Sequence, residues 1–366
     1  MEHKKQIGIL TFHNACNYGA FLQAKALFEI LNSYSGIEAF IIDYRNENVT
    51  SDYSCSGIFK SSSNLRTIFL KLLRIKDTIK RNRIFCKFQE NTFRYIPFDD
   101  KERISGLYKV VVGSDQVWGR HITGNDNQYF LPFVEPEKRT SYAASAGRID
   151  EKFKEKDFQS FLMDFPYFSV RENELYLKLS ELGFADRMTV CVDPVFLKKK
   201  EQWEDYADSA LTISKPYILV FIMGVSKQAD YIVNRAIKLA EKNKHKVILL
   251  GDQERWYKYR NVVHFGVATP KEFVALIHNA ECVLTNSFHA TAFSIILHTP
   301  FYTEMNIKNS ERLISLLRMT GLENREMYDG KIEPRDEEAI NWNSVDDRLK
   351  VEIQKSFQFI EEHIIL

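Results

Sequence analysis

Short apolar runs alternate along the chain with stretches in which apolar residues recur every three to four positions, and this alternation predicts repeated βα units. Gln6 to Phe12 reads as a buried strand, and His13 to Gly19 as a polar loop. Phe21, Leu22, Ala24, Leu27, Phe28 and Leu31 then make the apolar face of a helix that Gly36 ends before a strand at Ile37 to Tyr44. A crossover helix between two apolar strands implies a parallel sheet with its functional loops at the strands' carboxyl ends. Tyr108 to Gly113, Arg139 to Ser145 and Met188 to Phe196 read as further strands, the last broken by Pro194. Phe168 to Val170 leads to Arg171-Glu172-Asn173 at the start of a helix that Gly183 closes. Asn46 to Ser63 is polar enough to be a loop or insert, and charged Leu197 to Pro216 lacks periodicity and reads as a linker.

A second alternation starts at Tyr217, with strands at Tyr217 to Met223, Lys246 to Leu250 and Val262 to Phe265 and helices at Lys227 to Asn243 and Thr269 to Asn279. The expected fold is therefore α/β, with two Rossmann-like doubly wound domains facing each other. Residues 1–200 make the first, with a basic helical insert at about 60–90, residues 215–330 the second, and residues 345–366 a terminal helix.

The stretch Cys282 to Thr303 concentrates the candidate chemistry. Cys282-Val283-Leu284 suits a buried strand, Thr285-Asn286-Ser287 supplies capping residues, and Phe288, Ala292, Ile295 and Ile296 give the buried face of a helix that Pro300 stops. A helix N-terminus at a strand's carboxyl end offers unpaired N–H groups and a positive dipole end to an anion. His289 falls in that first turn; it is a candidate catalytic residue, or a histidine bonded locally.

Composition narrows the class. With 366 residues, 45% of them hydrophobic and 27% charged, and a net charge of +1, the chain reads as an ordinary soluble protein without global attraction to nucleic acid. No signal-peptide core or membrane-spanning run is legible, so the expected location is the cytoplasm, at most at the inner face of the membrane. The five cysteines are scattered without metal spacing, and no metal or cofactor is expected. There is no G-x-G-x-x-G after the first strand and no P-loop, which argues against a dinucleotide enzyme or a P-loop NTPase. From Asn64 to Glu90 an amphipathic stretch carries Lys80, Arg81, Arg83 and Lys87 among other cations. It reads either as the solvated face of an inserted helix or as a surface for weak peripheral contact with an anionic membrane.

With these residues in order, the chain resembles the polysaccharide pyruvyl transferase family. The resemblance runs from about Gln6 to Leu317 and rests on Asn17-Tyr18-Gly19 after the first strand, the VVGSDQVW segment, SYAASAG, Val170-Arg171-Glu172, Val192 to Phe196 and Thr285 to Ala290. It implies a GT-B-like pair of domains, acceptor on the first and donor on the second. It also implies transfer of a pyruvyl group from phosphoenolpyruvate to a sugar that is lipid-linked, nucleotide-linked or polymeric. His289 and Arg171 take the catalytic positions. Asn14, Asn17, Tyr18, Gly19, Ser114, Asp115, Gln116, Trp118, Ser145, Gly147, Arg148, Asn286 and Ser287 are candidate substrate contacts. Several have plain alternatives: Arg171 paired with Glu172 or Glu174, the Asn14 to Gly19 loop as a turn, Trp118 as core. Two positions depart from the family pattern, Ala20 where an acid is common and Ser287 where an arginine is common, which leaves Arg148 or Lys308 as possible donor contacts. A GT-B glycosyltransferase and a non-catalytic glycan-binding protein of the same fold are the competing readings.

Overall fold

A computed structural model describes residues 4–51, 75–147, 155–211, 213, 216–224, 229–251, 259, 262–305, 310–327 and 339–366. The chain divides into two compact units. One comprises Met1–Asp52, Cys86–Lys198 and Asp347–Leu366, the other Tyr53–Phe85 and Lys199–Asp346.

The first unit is built on seven strands: β1 (Lys5–Leu10), β2 (Ile37–Asp43), β3 (Tyr95–Pro97), β4 (Lys109–Asp115), β5 (Arg139–Ala144), β6 (Phe168–Val170) and β7 (Met188–Val190). They form one sheet in the order β3-β2-β1-β4-β5-β6-β7, and every pairing is parallel. Ile9 registers with Ile41 of β2 and Val111 of β4, all three fully buried, as a sheet covered on both faces requires. The strand order reverses between β1 and β4. The helix Tyr18–Ser33 follows β1, capped by Asn17, whose side-chain oxygen accepts from the Gly19 and Ala20 amides. Its Phe21 and Phe28 meet Phe93 edge-on at 5.6 and 5.5 Å. The carboxyl-terminal helix, Trp342–Ile360, returns to this unit, where Ser356 Oγ accepts from the Val192 amide at 3.0 Å.

The second unit repeats the scheme with β8 (Tyr217–Phe221), β9 (Lys246–Leu250), β10 (Val263–Phe265), β11 (Cys282–Thr285), β12 (Phe301–Glu304) and β13 (Glu326–Met327). The order is β10-β9-β8-β11-β12-β13, again wholly parallel, with the reversal between β8 and β11. Thr269 and Glu272 form a reciprocal capping box on the helix Pro270–His278.

Some elements differ from the sequence reading. The expected linker contains a helix, Lys200–Tyr206, because Trp203 is fully buried against Tyr206 and Phe293. The loop after β2 opens with a short helix, Glu47–Ser51, started by Asn46, whose Oδ1 accepts from the Val49 amide. The strand expected over Met188 to Phe196 stops at Val190, and Pro194–Leu197 forms a 3₁₀ turn capped by Asp193. Arg148, Lys308 and residues 64–74 of the basic stretch lie outside the described residues. Among the described residues no helix is long and apolar enough to cross a membrane.

Candidate active site

In open parallel sheets ligands bind beyond the strands' carboxyl ends where the strand order reverses. In the first unit that point lies between β1 and β4. Thr11 Oγ1 donates to the Ser114 carbonyl at 3.2 Å, and Gln23 Nε2 donates to Thr11 Oγ1 at 2.9 Å, which ties the two strand ends and the following helix together. Ser114 Oγ donates to the Ala143 carbonyl, and Ser145 Oγ accepts from the Gly147 amide. Gly147 has a φ of +73°, and a Cβ there would lie 2.5 Å from Gln116 Oε1, so this turn admits only glycine without strain.

Arg171, at the end of β6, is buried among three carboxylates. NH1 donates to Asp193 Oδ2 at 2.6 Å, Nε donates to Glu172 Oε1 at 3.2 Å, and NH2 lies 3.7 Å from Asp115 Oδ1. Burial disfavours its charge, but Glu172, Asp193 and Asp115 outweigh that and hold its pKa above the ordinary arginine value. Asp193 has a second task, its Oδ1 accepting from the Val195 amide. One guanidinium against three carboxylates leaves the cluster formally negative. Glu172 Oε2 is buried without a hydrogen-bond partner among the described residues. Such a site suits hydroxyl donors better than a phosphate.

On the ends of β1 and β2, His13 Nε2 lies 2.9 Å from Asp43 Oδ1 and Nδ1 lies 3.2 Å from the Thr11 carbonyl. Arg45 grips the same carboxylate through Nε and NH2 at 2.8 and 3.0 Å. The His13 hydrogen bond, opposed by burial and reinforced by Arg45, holds the Asp43 carboxyl well below the usual range. A depressed folded-state pKa contributes stability that is present above the unfolded value of about 4 and is lost as pH falls toward the folded value. Asp43→Asn is therefore expected to flatten the loss of stability below about pH 4, read from urea midpoints of both proteins across that range. Parallel acid profiles would show that the pairing contributes nothing.

In the second unit the reversal lies between β8 and β11. Thr285 Oγ1 donates to the Phe221 carbonyl at 2.5 Å. The Asn286 side chain accepts from the Met223 amide at 2.7 Å and donates to the Met223 carbonyl at 3.2 Å. Both ends of that amide thus clamp the two strand ends together. Ser287 caps the helix Phe288–Ile296, its Oγ accepting from the Ala290 amide at 3.4 Å. Thr291 Oγ1 in turn meets Thr303 Oγ1 at 3.2 Å, fastening this helix to β12. His289 stands second in the helix with 7% of its surface exposed, its ring edge-on to Phe288 at 5.2 Å. The Arg312 guanidinium lies 5.7 Å from the Phe288 ring centre.

The structure thus sets Ser114, Asp115, Gln116, Ser145, Gly147 and Arg171 at the carboxyl ends of the adjacent strands β4, β5 and β6, and Asn286, Ser287 and His289 at the switch point of the second sheet. Asn14, Asn17, Tyr18 and Gly19 lead from β1 into its helix, with Asn17 employed as the cap. Ala20 is buried in that helix, so packing decides the residue there. Trp118 takes the core alternative. It is fully buried, stacked on Phe130 at 5.7 Å, ringed by Phe158, Phe165 and Phe168, and its indole N–H donates to the Tyr129 carbonyl, so no face is open to a sugar. Arg312 escaped the sequence reading. Its signal was a helix opening with Ser310-Glu311-Arg312 soon after the strand FYTE, the same strand-to-helix rule that located His289.

A family model described as polysaccharide pyruvyl transferase matches residues 17–303. No curated protein matches the chain in sequence. Among solved structures, UDP-GlcNAc 2-epimerase from Neisseria meningitidis bound to UDP-GlcNAc shares 12% identity over 98% of this chain and 92% of its own, with a TM-score of 0.49. The S. aureus MnaA–UDP co-structure shares 10% over 98% and 88%, with a TM-score of 0.52. A further UDP-N-acetylglucosamine 2-epimerase shares 10% over 99% and 96%, with a TM-score of 0.51. The likeness to the last two is one of fold, two Rossmann-like α/β domains of GT-B-like type.

Proposed function

This chain belongs to the polysaccharide pyruvyl transferase family, and from that premise we propose that it moves a pyruvyl group from phosphoenolpyruvate onto two hydroxyls of one sugar as a ketal. The observation that carries this reading is the position of His289, in the first turn of a Ser287-capped helix at the strand-order reversal of the second sheet. Phosphoenolpyruvate brings a phosphate and a carboxylate. Helix amides, the positive end of the helix dipole and the neighbouring Arg312 are suited to anions of that kind.

In ketal formation each of two hydroxyl oxygens forms a bond to the central carbon, the carbon–oxygen bond to phosphate breaks, and the carbon–carbon π bond gives its electron pair to the new carbon–hydrogen bond. One hydroxyl proton ends on the methylene carbon, making a methyl group, and the other leaves with phosphate. His289 delivers the proton to carbon, a task for a side chain able to donate and accept near neutrality. The first unit takes the acceptor. Asp115 and Glu172 receive hydrogen bonds from its hydroxyls, and Arg171, its charge already matched, positions those carboxylates. Among the described residues no group of three or more histidine, cysteine or acidic side chains is placed to hold a metal ion.

The expected result is acceptor-dependent release of phosphate from phosphoenolpyruvate, preceded by calorimetrically measurable binding of phosphoenolpyruvate alone. The GT-B-like fold, shared with a protein solved in complex with UDP, keeps one competitor in view. Consumption of a nucleotide-sugar without use of phosphoenolpyruvate would move the assignment to a glycosyltransferase. Tight acceptor binding with turnover of neither donor would make this a glycan-binding protein.

A further inference from the structure

The helix Ile75–Thr92 carries a feature that the pyruvyl-transfer reading does not use. Lys76, Lys80, Arg83 and Lys87 are all exposed on it. At 3.6 residues per turn their side chains fall within an arc of about 60° and run about 17 Å along the axis. Phe85, on the opposite side, is fully buried, and Phe88 packs against Phe21 at 6.1 Å, so the helix is held by its apolar face while the cations point outward. Ile79 lies along the same outward side with 43% of its surface exposed. No ion pair joins any of the four cations to an acid among the described residues, and the exposed acid on this side is Glu90, near the helix end. Arg81, in the same basic run, is only partly exposed and lies off this arc.

A solvated helix face ordinarily mixes charges of both signs, whereas here four like charges share one line with an exposed isoleucine. We propose that this face rests on an anionic lipid bilayer, the four cations against headgroup phosphates and Ile79 at the boundary with the acyl chains. A single face of this size with no covalent lipid gives weak, reversible attachment. The inference stands on the helix alone and does not depend on the identity of the donor.

The test uses the full chain and vesicle flotation, with phosphatidylcholine vesicles containing phosphatidylglycerol compared with phosphatidylcholine alone. Binding is expected on the anionic vesicles only, and it should fall steeply as salt is raised and the Debye length shortens from about 10 Å to about 3 Å. Replacing Lys76, Lys80, Arg83 and Lys87 together by glutamine should weaken the partition coefficient on the order of 10²–10³-fold, with an unchanged urea midpoint. Ile79→Trp should report insertion by a blue shift of its emission on anionic vesicles. Equal attachment to both vesicle types, or undiminished attachment of the quadruple variant, would overturn the proposal. So would attachment to soluble polyphosphate as strong as to vesicles with no emission shift in the Ile79→Trp variant, since the face would then be a polyanion site.

Discussion

Replacing His289 with alanine is expected to lower kcat by about 10²- to 10⁴-fold while phosphoenolpyruvate still binds with nearly its original affinity. The asymmetry follows from the division of labour at the strand end. In the proposed reaction donor charge falls to helix amides, the dipole and arginine, none of which the substitution removes. The lost group is the one that the proposal assigns to placing a proton on the methylene carbon. His289 also packs edge-on against Phe288 with 7% exposure, so the truncation opens a small gap, and a urea midpoint must accompany the kinetics. His289→Gln, which fills more of that space without acid–base capacity, should be as slow as the alanine variant. Turnover preserved in the glutamine variant would return His289 to a packing role. Loss of phosphoenolpyruvate binding in a folded variant would make it a donor ligand rather than a proton carrier.

The second large effect is expected at Arg171 and is one of stability first. Arg171→Leu removes the cation from Asp115, Glu172 and Asp193, of which Asp193 is completely buried and Glu172 nearly so. Breaking a buried pair from one side typically costs about 3–5 kcal/mol, because the remaining charges lose their partner and not merely a contact. Burial without a matching cation disfavours the ionised form of a carboxyl, so the cost falls on the charged state. A raised folded pKa contributes stability that is present below the unfolded pKa and is lost as pH rises through the folded one. The gap between variant and parent should therefore widen from about pH 4 to about pH 7, measured by urea unfolding at each pH. Arg171→Lys should recover part of the loss, since an ammonium supplies the charge without the fork that reaches three strand ends. A uniform gap at all pH values would mean that lost packing, not unpaired charge, accounts for the cost.

Much of the fold could be read from local pattern. Runs such as Ile7 to Leu10, Val110 to Val112 and Leu219 to Phe221 are apolar without alternation because both faces of a parallel strand are covered, and all three are strands. The cap at Ser287 could be read because a cap is a bargain among residues two or three apart. His289 was legible for the same reason, as strand, turn and helix start follow one another within a few residues. Short or amphipathic pieces with weak periodicity, such as the helix Lys200–Tyr206 and the strand Tyr95–Pro97, were not, since one buried aromatic or one neighbouring strand decides them.

What the tertiary structure alone decided is which distant residues meet. Trp118 looked equally fit for a sugar or a core until Phe130, Phe158, Phe165 and Phe168 closed around it. Arg171 stood between a catalytic position and a pair with Glu172 or Glu174, and only the order β4-β5-β6-β7 added Asp115 and Asp193 to its partners. The terminal helix could be read as a helix, but what it packs on was set only where Ser356 bonds to Val192. Sequence patterns report the face that each element must bury, because periodicity and capping act over one or two turns. The partner that covers that face is chosen by sheet order, which brings together residues far apart in the chain, and there the charge balance of the site was decided.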